Sequence, residues 1–129
     1  MVRAATASSI DLVFQACADR TRLRILNLLL GGDELCVCTI IAVLRLPQAK
    51  VSRHLAVLRK AGLVLGRKDG LWVHYRLAEA SGTFHRRMLD CLQCCWAEVP
   101  ELQRDLERLK RVAGIVRAPA GCCDDTSCG

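Results

Sequence analysis

Between Glu34 and Leu65 the apolar positions fall into two helical periods with a break between them. In the second period Val51, Leu55 and Leu58 share one face and Ala61 follows a turn later, which leaves Gln48, Lys50, Ser52, Arg53 and His54 facing mostly outward. Leu46 and Pro47 separate the two periods, and proline stops a helix on its N-terminal side while suiting the first turn of the next. The pattern predicts helix, turn, helix. Beyond it, two β-prone runs flank Asp69 and Gly70, a pair that accepts the positive φ angles of a tight turn. A β-hairpin therefore follows, with Arg67 and Lys68 near its tip.

The rest of the chain reads as helix. Residues 1–8 are expected to be loose, with Ser8 or Ser9 capping a first helix through Ile10, Val13, Phe14 and Cys17. Asp19 caps a second helix, apolar nearly all round, which Gly31 and Gly32 end as a C-terminal cap. Cys17, in an apolar stripe, reads as a small buried hydrophobe. After the hairpin, Ser81 begins a helix with Phe84, Met88, Cys91, Leu92, Cys95 and Val99 along one face. A break at Glu98 and Pro100 leads to a last helix with Leu102, Leu106 and Leu109 on one side and alternating charges on the other. Residues 9–114 thus form one domain, mainly α with a β-hairpin, and residues 115–129 a flexible cysteine-rich tail.

Charge gives the helix pair a partner. From Ala42 to Arg76 eight lysines or arginines stand against one acid, Asp69, a window charge of +7 in a chain whose total is +6. All of the excess positive charge therefore lies on the predicted helix-turn-helix and hairpin. A helix with a buried face that presents amide, hydroxyl and cationic groups at its N-terminal half has the chemistry to lie in a DNA major groove, and a basic hairpin beside it has the chemistry to grip phosphate. That combination is a winged helix. Its predicted DNA-contacting residues are Gln48, Lys50, Ser52, Arg53 and His54 on the helix and Arg67 and Lys68 on the wing.

The segments ADRTRLRIL (Ala18 to Leu26), ELCVC (Glu34 to Cys38), VSRHLAVLRKAGLV (Val51 to Val64) and the hairpin from Gly70 to Leu77 resemble the ArsR/SmtB metalloregulatory repressors, over about residues 9 to 98. ELCVC is similar to the metal-site signature of the arsenic and cadmium/lead branches. The resemblance implies a homodimeric winged-helix repressor that leaves its operator when a thiophilic metal or metalloid binds, with As(III) or Sb(III) as inducer. It also implies that the helix after the hairpin, and the last helix with it, pack across the dimer.

Composition fits this outline. A chain of 129 residues with 52% hydrophobic but only 4% aromatic content suits one aliphatic, helix-dominated core, with no separate catalytic domain. No apolar run approaches membrane-span length and the N-terminus lacks the apolar core of a signal peptide, so a cytoplasmic protein with no membrane partner is expected. Nine cysteines there read as ligands or redox thiols rather than a disulfide framework.

Cys36 and Cys38 stand at the start of the third helix. A C-x-C pair is too close to lie on one helical face, but at a helix terminus both sulfurs can turn toward one ion, and the amide dipoles there favour thiolate. A trivalent arsenic or antimony centre takes three sulfurs in a pyramid. In the arsenic branch a third cysteine follows three residues later; here that position is Ile41. The missing ligand has possible sources in Cys91, Cys94 and Cys95, at i, i+3 and i+4 of one helix, and in Cys122, Cys123 and Cys128 of the tail. Cys91 and Cys95 read equally well as packing residues of a dimer core. The zinc branch uses paired Asp/His and His/Glu ligands, a pattern that His85 and Asp90 do not reproduce, whereas cadmium and lead remain open. Two further readings stand beside these: a thiol-redox-sensing repressor of the same fold, and a small thiol enzyme built on Cys91 and Cys94, which lacks the βαβ unit such a motif normally accompanies.

Overall fold

The computed structural model describes residues 2–31, 34–79, 83–94 and 98–116, with side chains from residue 10 to residue 112. Six helices and three short strands follow in the order α1 (Val2–Cys17), α2 (Arg20–Leu29), β1 (Leu35–Cys36), α3 (Val37–Leu44), α4 (Gln48–Lys60), β2 (Val64–Asp69), β3 (Trp72–Leu77), α5 (Thr83–Cys94) and α6 (Pro100–Val116). The expected cap at Ser8 or Ser9 is absent, because the helix starts earlier, through a stretch with Ala4, Ala5 and Ala7, the strongest intrinsic helix formers. Asp19 does cap α2: its carboxylate accepts from the backbone N–H of Thr21 at 2.8 Å and of Arg22 at 3.2 Å. The C-cap of α2 is Leu30 in a right-handed conformation rather than a glycine.

The core is aliphatic. Ile25, Leu26, Leu28 and Leu29 of α2 pack with Ile40, Val43 and Leu44 of α3, Val51, Leu55 and Leu58 of α4, and Leu63 and Val64 beyond it. The predicted buried face of α4 is therefore the observed one. Between α3 and α4 the chain turns at Arg45, a non-glycine residue in the left-handed region (φ 57°, ψ 44°), whose N–H donates to Ile41 O at 2.8 Å. At the far end of α4, Gly62 at φ 80° lets the N–H groups of Gly62 and Leu63 reach back to the carbonyls of Arg59 and Leu58. This closes α4 and points the chain into β2.

The hairpin forms one place later than expected. Asp69 pairs with Trp72, so the two-residue turn is Gly70 and Leu71, and of these only Gly70 has positive φ (67°). Glycine at the first central position is the mark of a type II′ turn, which matches strand twist without asking Leu71 for a left-handed conformation. The sheet has a third member that was not expected: β1 pairs antiparallel with β3, giving the order β1-β3-β2.

Helix α6 completes the packing around the core. It packs on α2 and α3 of its own chain, through Leu102 and through Asp105, whose side chain is 1% exposed within the polar face that the alternating charges suggested. Arg24 meets Asp105 with Nε at 2.7 Å and Nη2 at 2.9 Å, Asn27 Nδ2 donates to Leu102 O at 3.1 Å, and Arg108 Nη1 donates to Val43 O at 2.7 Å. Helix periodicity alone does not distinguish a buried acid with a cationic partner from a solvated one.

Candidate functional site: a DNA-facing surface joined to a thiol pair

Gln48, Lys50, Ser52 and Arg53 are all exposed on the N-terminal half of α4, as the apolar period predicts. Arg45, Arg59, Lys60, Lys68 and Arg76 are exposed around them, so the surface is cationic and open. His54 differs from expectation. Its Nδ1 lies 3.2 Å from Nη1 of Arg22, half-buried against α2 rather than free on the outer face. Arg22 also donates to Ala16 O at 2.8 Å and Gln15 O at 3.0 Å, so one guanidinium ties the end of α1, the start of α2 and α4 together. Because a guanidinium only donates, Nδ1 of His54 must accept. Burial, reinforced by Arg22, Lys50 and Arg53 and opposed by Asp19, holds the His54 pKa below its ordinary value.

Arg67, predicted to contact phosphate, is exposed on β2 beside Glu34. It forks onto Glu34, Nη2 to Oε1 at 2.6 Å and Nε to Oε2 at 3.0 Å. That hydrogen bond lowers the Glu34 pKa and raises that of Arg67. Lys68 keeps the expected exposed place beside the turn.

The thiols of Cys36 and Cys38 converge. Cys36 is the N-cap of α3, its Sγ accepting from the Cys38 N–H at 3.4 Å, and the two sulfurs stand 2.8 Å apart. The dipole-favoured thiolate expected at this helix end is not the outcome for Cys36: burial, then the hydrogen bond with the Cys38 thiol, push its pKa up, outweighing the backbone N–H donors. Among the described residues no three histidines, cysteines or acids gather into one potential metal site. Cys91 and Cys94 lie elsewhere, on α5, both exposed. Cys91 sits off the face that α5 buries, which is formed by His85 and Leu92 with Met88 and Leu89 partly covered. Cys95, Cys122, Cys123 and Cys128, like Ser81, lie outside the described residues. Cys17 is half-buried with its Sγ 3.5 Å from Met88 Sδ, and burial raises its pKa against the pull of Arg22, in keeping with a packing role.

Strand β1 connects the thiol pair to the wing. Cys36 pairs with His74 and His74 with Arg67, so one row crosses all three strands on one face, while Leu35, Tyr75 and Gly66 form the next row on the other. Tyr75 is buried, and a Cβ on Gly66 would stand 3.1 Å from its ring; the missing side chain gives the ring its place. Sequence reading missed this junction because a two-residue strand is too short to show alternation.

Helix pair, cationic reading helix and three-stranded wing together define a winged helix-turn-helix DNA-binding regulator. The chain belongs to the arsR family of bacterial regulatory proteins, whose family profile matches residues 19–65. It is 43% identical over 97 residues to the arsenical resistance operon repressor of Escherichia coli K12, covering 74% of this chain and 83% of that one. Among solved structures it is similar to HlyU from Vibrio cholerae, with 34% identity, a TM-score of 0.61, and coverage of 71% of this chain and 96% of that one. It is similar also to a homodimeric winged helix-turn-helix DNA-binding domain from Mycobacterium bovis, with 30% identity, a TM-score of 0.60, and coverage of 75% and 86%. The family's members are transcriptional regulators rather than enzymes. No helix among the described residues is long and apolar enough to cross a membrane.

Proposed function

We propose that this chain is a cytoplasmic repressor that binds operator DNA as a homodimer and releases it when As(III) or Sb(III) is held by cysteine thiolates. The observation that carries this reading is the Cys36–Cys38 pair, two sulfurs 2.8 Å apart at the start of the helix that precedes the reading helix. The relative in Escherichia coli is named for arsenical resistance, which supports the same inducer class. Arsenous acid would form two As–S bonds and lose two hydroxides, each leaving as water with one thiol proton. No free proton is produced, so a thiol with a raised pKa such as Cys36 is no obstacle. Cadmium or lead, by contrast, would release both thiol protons into solution. A third sulfur would come from Cys91 or Cys94 of α5, from Cys95, or from Cys122 or Cys123 near the C-terminus.

Dimerisation is supported by a residual apolar face. Phe14 is 59% and Ile10 41% exposed on α1, and the Phe14 ring lies 5.3 Å from that of Phe84 on α5. A second copy covering α1 and α5 would bury these rings and set two α4 helices into successive major grooves, on an imperfect palindrome about one helical turn between half-sites. The test is anisotropy of labelled operator. Wild type is expected to bind and then be released by arsenite, whereas the Cys36→Ser, Cys38→Ser double variant binds equally and stays bound. Normal release of that double variant would move the inducer site to α5 or the C-terminal cysteines. Arg53→Ala should weaken operator binding.

A further inference from the structure

Glu34 lies two residues before Cys36, immediately ahead of the strand that joins the thiol pair to the wing, and its carboxylate occupies Nε and Nη2 of Arg67, one edge of the guanidinium that a phosphate would use. A carboxylate forked onto arginine presents the same two-oxygen geometry as a DNA phosphate. We propose that Glu34 is an internal phosphate competitor: it holds Arg67 when the chain is off DNA, yields it to a backbone phosphate when the operator binds, and is fastened in place when the neighbouring thiols are ligated. The inference rests on the thiol-inducer reading above and adds to it the residue through which the thiols act on the wing.

Three features support the arrangement. Strand β1 pairs with β3 and β3 with β2, so backbone hydrogen bonds fix the distance between the Glu34 end of β1 and Arg67 of β2. Cys36 is at once the last residue of β1 and the N-cap of α3. A ligand joining the Cys36 and Cys38 sulfurs would therefore lock the strand-to-helix junction in the geometry in which Glu34 reaches Arg67. The pair is also weak enough to exchange. Arg67 is 55% exposed, and exposed ion pairs are easily outcompeted by a charge-dense partner such as duplex DNA. Asp69, 3.9 Å from Arg67 Nη1, is the other acid at hand, but its single long contact leaves the fork to Glu34.

The experiment measures operator affinity by anisotropy, across a salt series and with and without saturating arsenite, for full-length wild type, Glu34→Gln, Arg67→Gln and the double variant. Glu34→Gln is expected to bind operator about two- to fivefold more tightly, as suits loss of one exposed competing pair. In the Arg67→Gln background the same change should have no effect, and Arg67→Gln should lower the slope of log K against log salt by about one. Arsenite should bind Glu34→Gln with unchanged stoichiometry, read by mass spectrometry under native conditions, yet weaken its DNA binding several-fold less than in wild type. If Glu34→Gln tightens binding equally with and without Arg67, the carboxylate acts only as a bulk charge and the competitor role is overturned. Full arsenite release of Glu34→Gln would overturn the link to the thiols while leaving the thiol-inducer reading intact. A wild type that arsenite fails to release would instead overturn that reading.

Discussion

Arg24 and Asp105, 81 positions apart, meet in a two-pronged ion pair at 2.7 and 2.9 Å that fastens α6 to α2. Asp105 is almost fully buried, and Arg24 has little more access to water, so neither charge can be rehydrated if its partner is removed. Asp105→Ala is expected to cost about 3 kcal/mol in a urea titration, because it leaves a mostly buried guanidinium with only its longer contact to Glu101 at 3.6 Å. Glu101→Gln, which touches the 60% exposed Arg20 at 3.2 Å and Arg24 at 3.6 Å, should cost under about 1 kcal/mol.

Acid sensitivity should arise from histidine. Burial lowers the pKa of both His54 and His85 in the folded chain, so unfolding takes up protons at a pH where the native rings are neutral. The stabilisation is complete above the ordinary histidine value near 6.5 and is lost as pH falls through the lowered values. Urea midpoints measured from pH 7.5 to 5.5 should fall, and His54→Gln, which removes the ring that accepts from Arg22, should make the fall shallower. An equal slope in both proteins would leave His54 without a part in it.

The thiols should separate by reactivity. Cys94 is exposed on α5, whereas Cys17 is half-buried with a raised pKa. Since the thiolate is the reacting species, site-resolved iodoacetamide labelling should modify Cys94 at least about tenfold faster than Cys17 at neutral pH. Cys36, whose pKa is also raised, should label slowly and become slower still with arsenite bound.

Gly62 and Gly31 provide a matched pair for backbone cost. An added Cβ meets nothing within 4 Å at either position, but only Gly62 has a left-handed φ, 80°. Gly62→Ala should therefore lose about 1 kcal/mol through conformation alone. Gly31→Ala should be neutral or gain up to about 0.5 kcal/mol, since it narrows the unfolded ensemble without strain. Both are read as shifts in denaturation midpoint at constant slope.

Much of the architecture was legible because it follows from periodicity. Val51, Leu55 and Leu58 announced the buried face of the reading helix, and the exposure of Gln48, Lys50, Ser52 and Arg53 follows from it. The hairpin was legible from its glycine, although Gly70 opens the turn instead of closing it. What escaped were relationships between residues far apart in the chain. Nothing local to Asp105 signals that Arg24 awaits it, nothing in His54 signals Arg22, and a strand of two residues leaves no pattern. The packing of α6 against α2 and α3 was not foreseen for the same reason: an amphipathic helix declares that it has an apolar face, not which surface will cover it.

Strand β2 forms the outer margin of the sheet, with its unpaired backbone groups available to any other chain that arrives in register. It carries Arg67 and Lys68 along that margin, and a second wing approaching strand to strand would bring like charges together. These cations thus guard against fibre-like stacking, so charge-removing changes on this strand should reduce solubility.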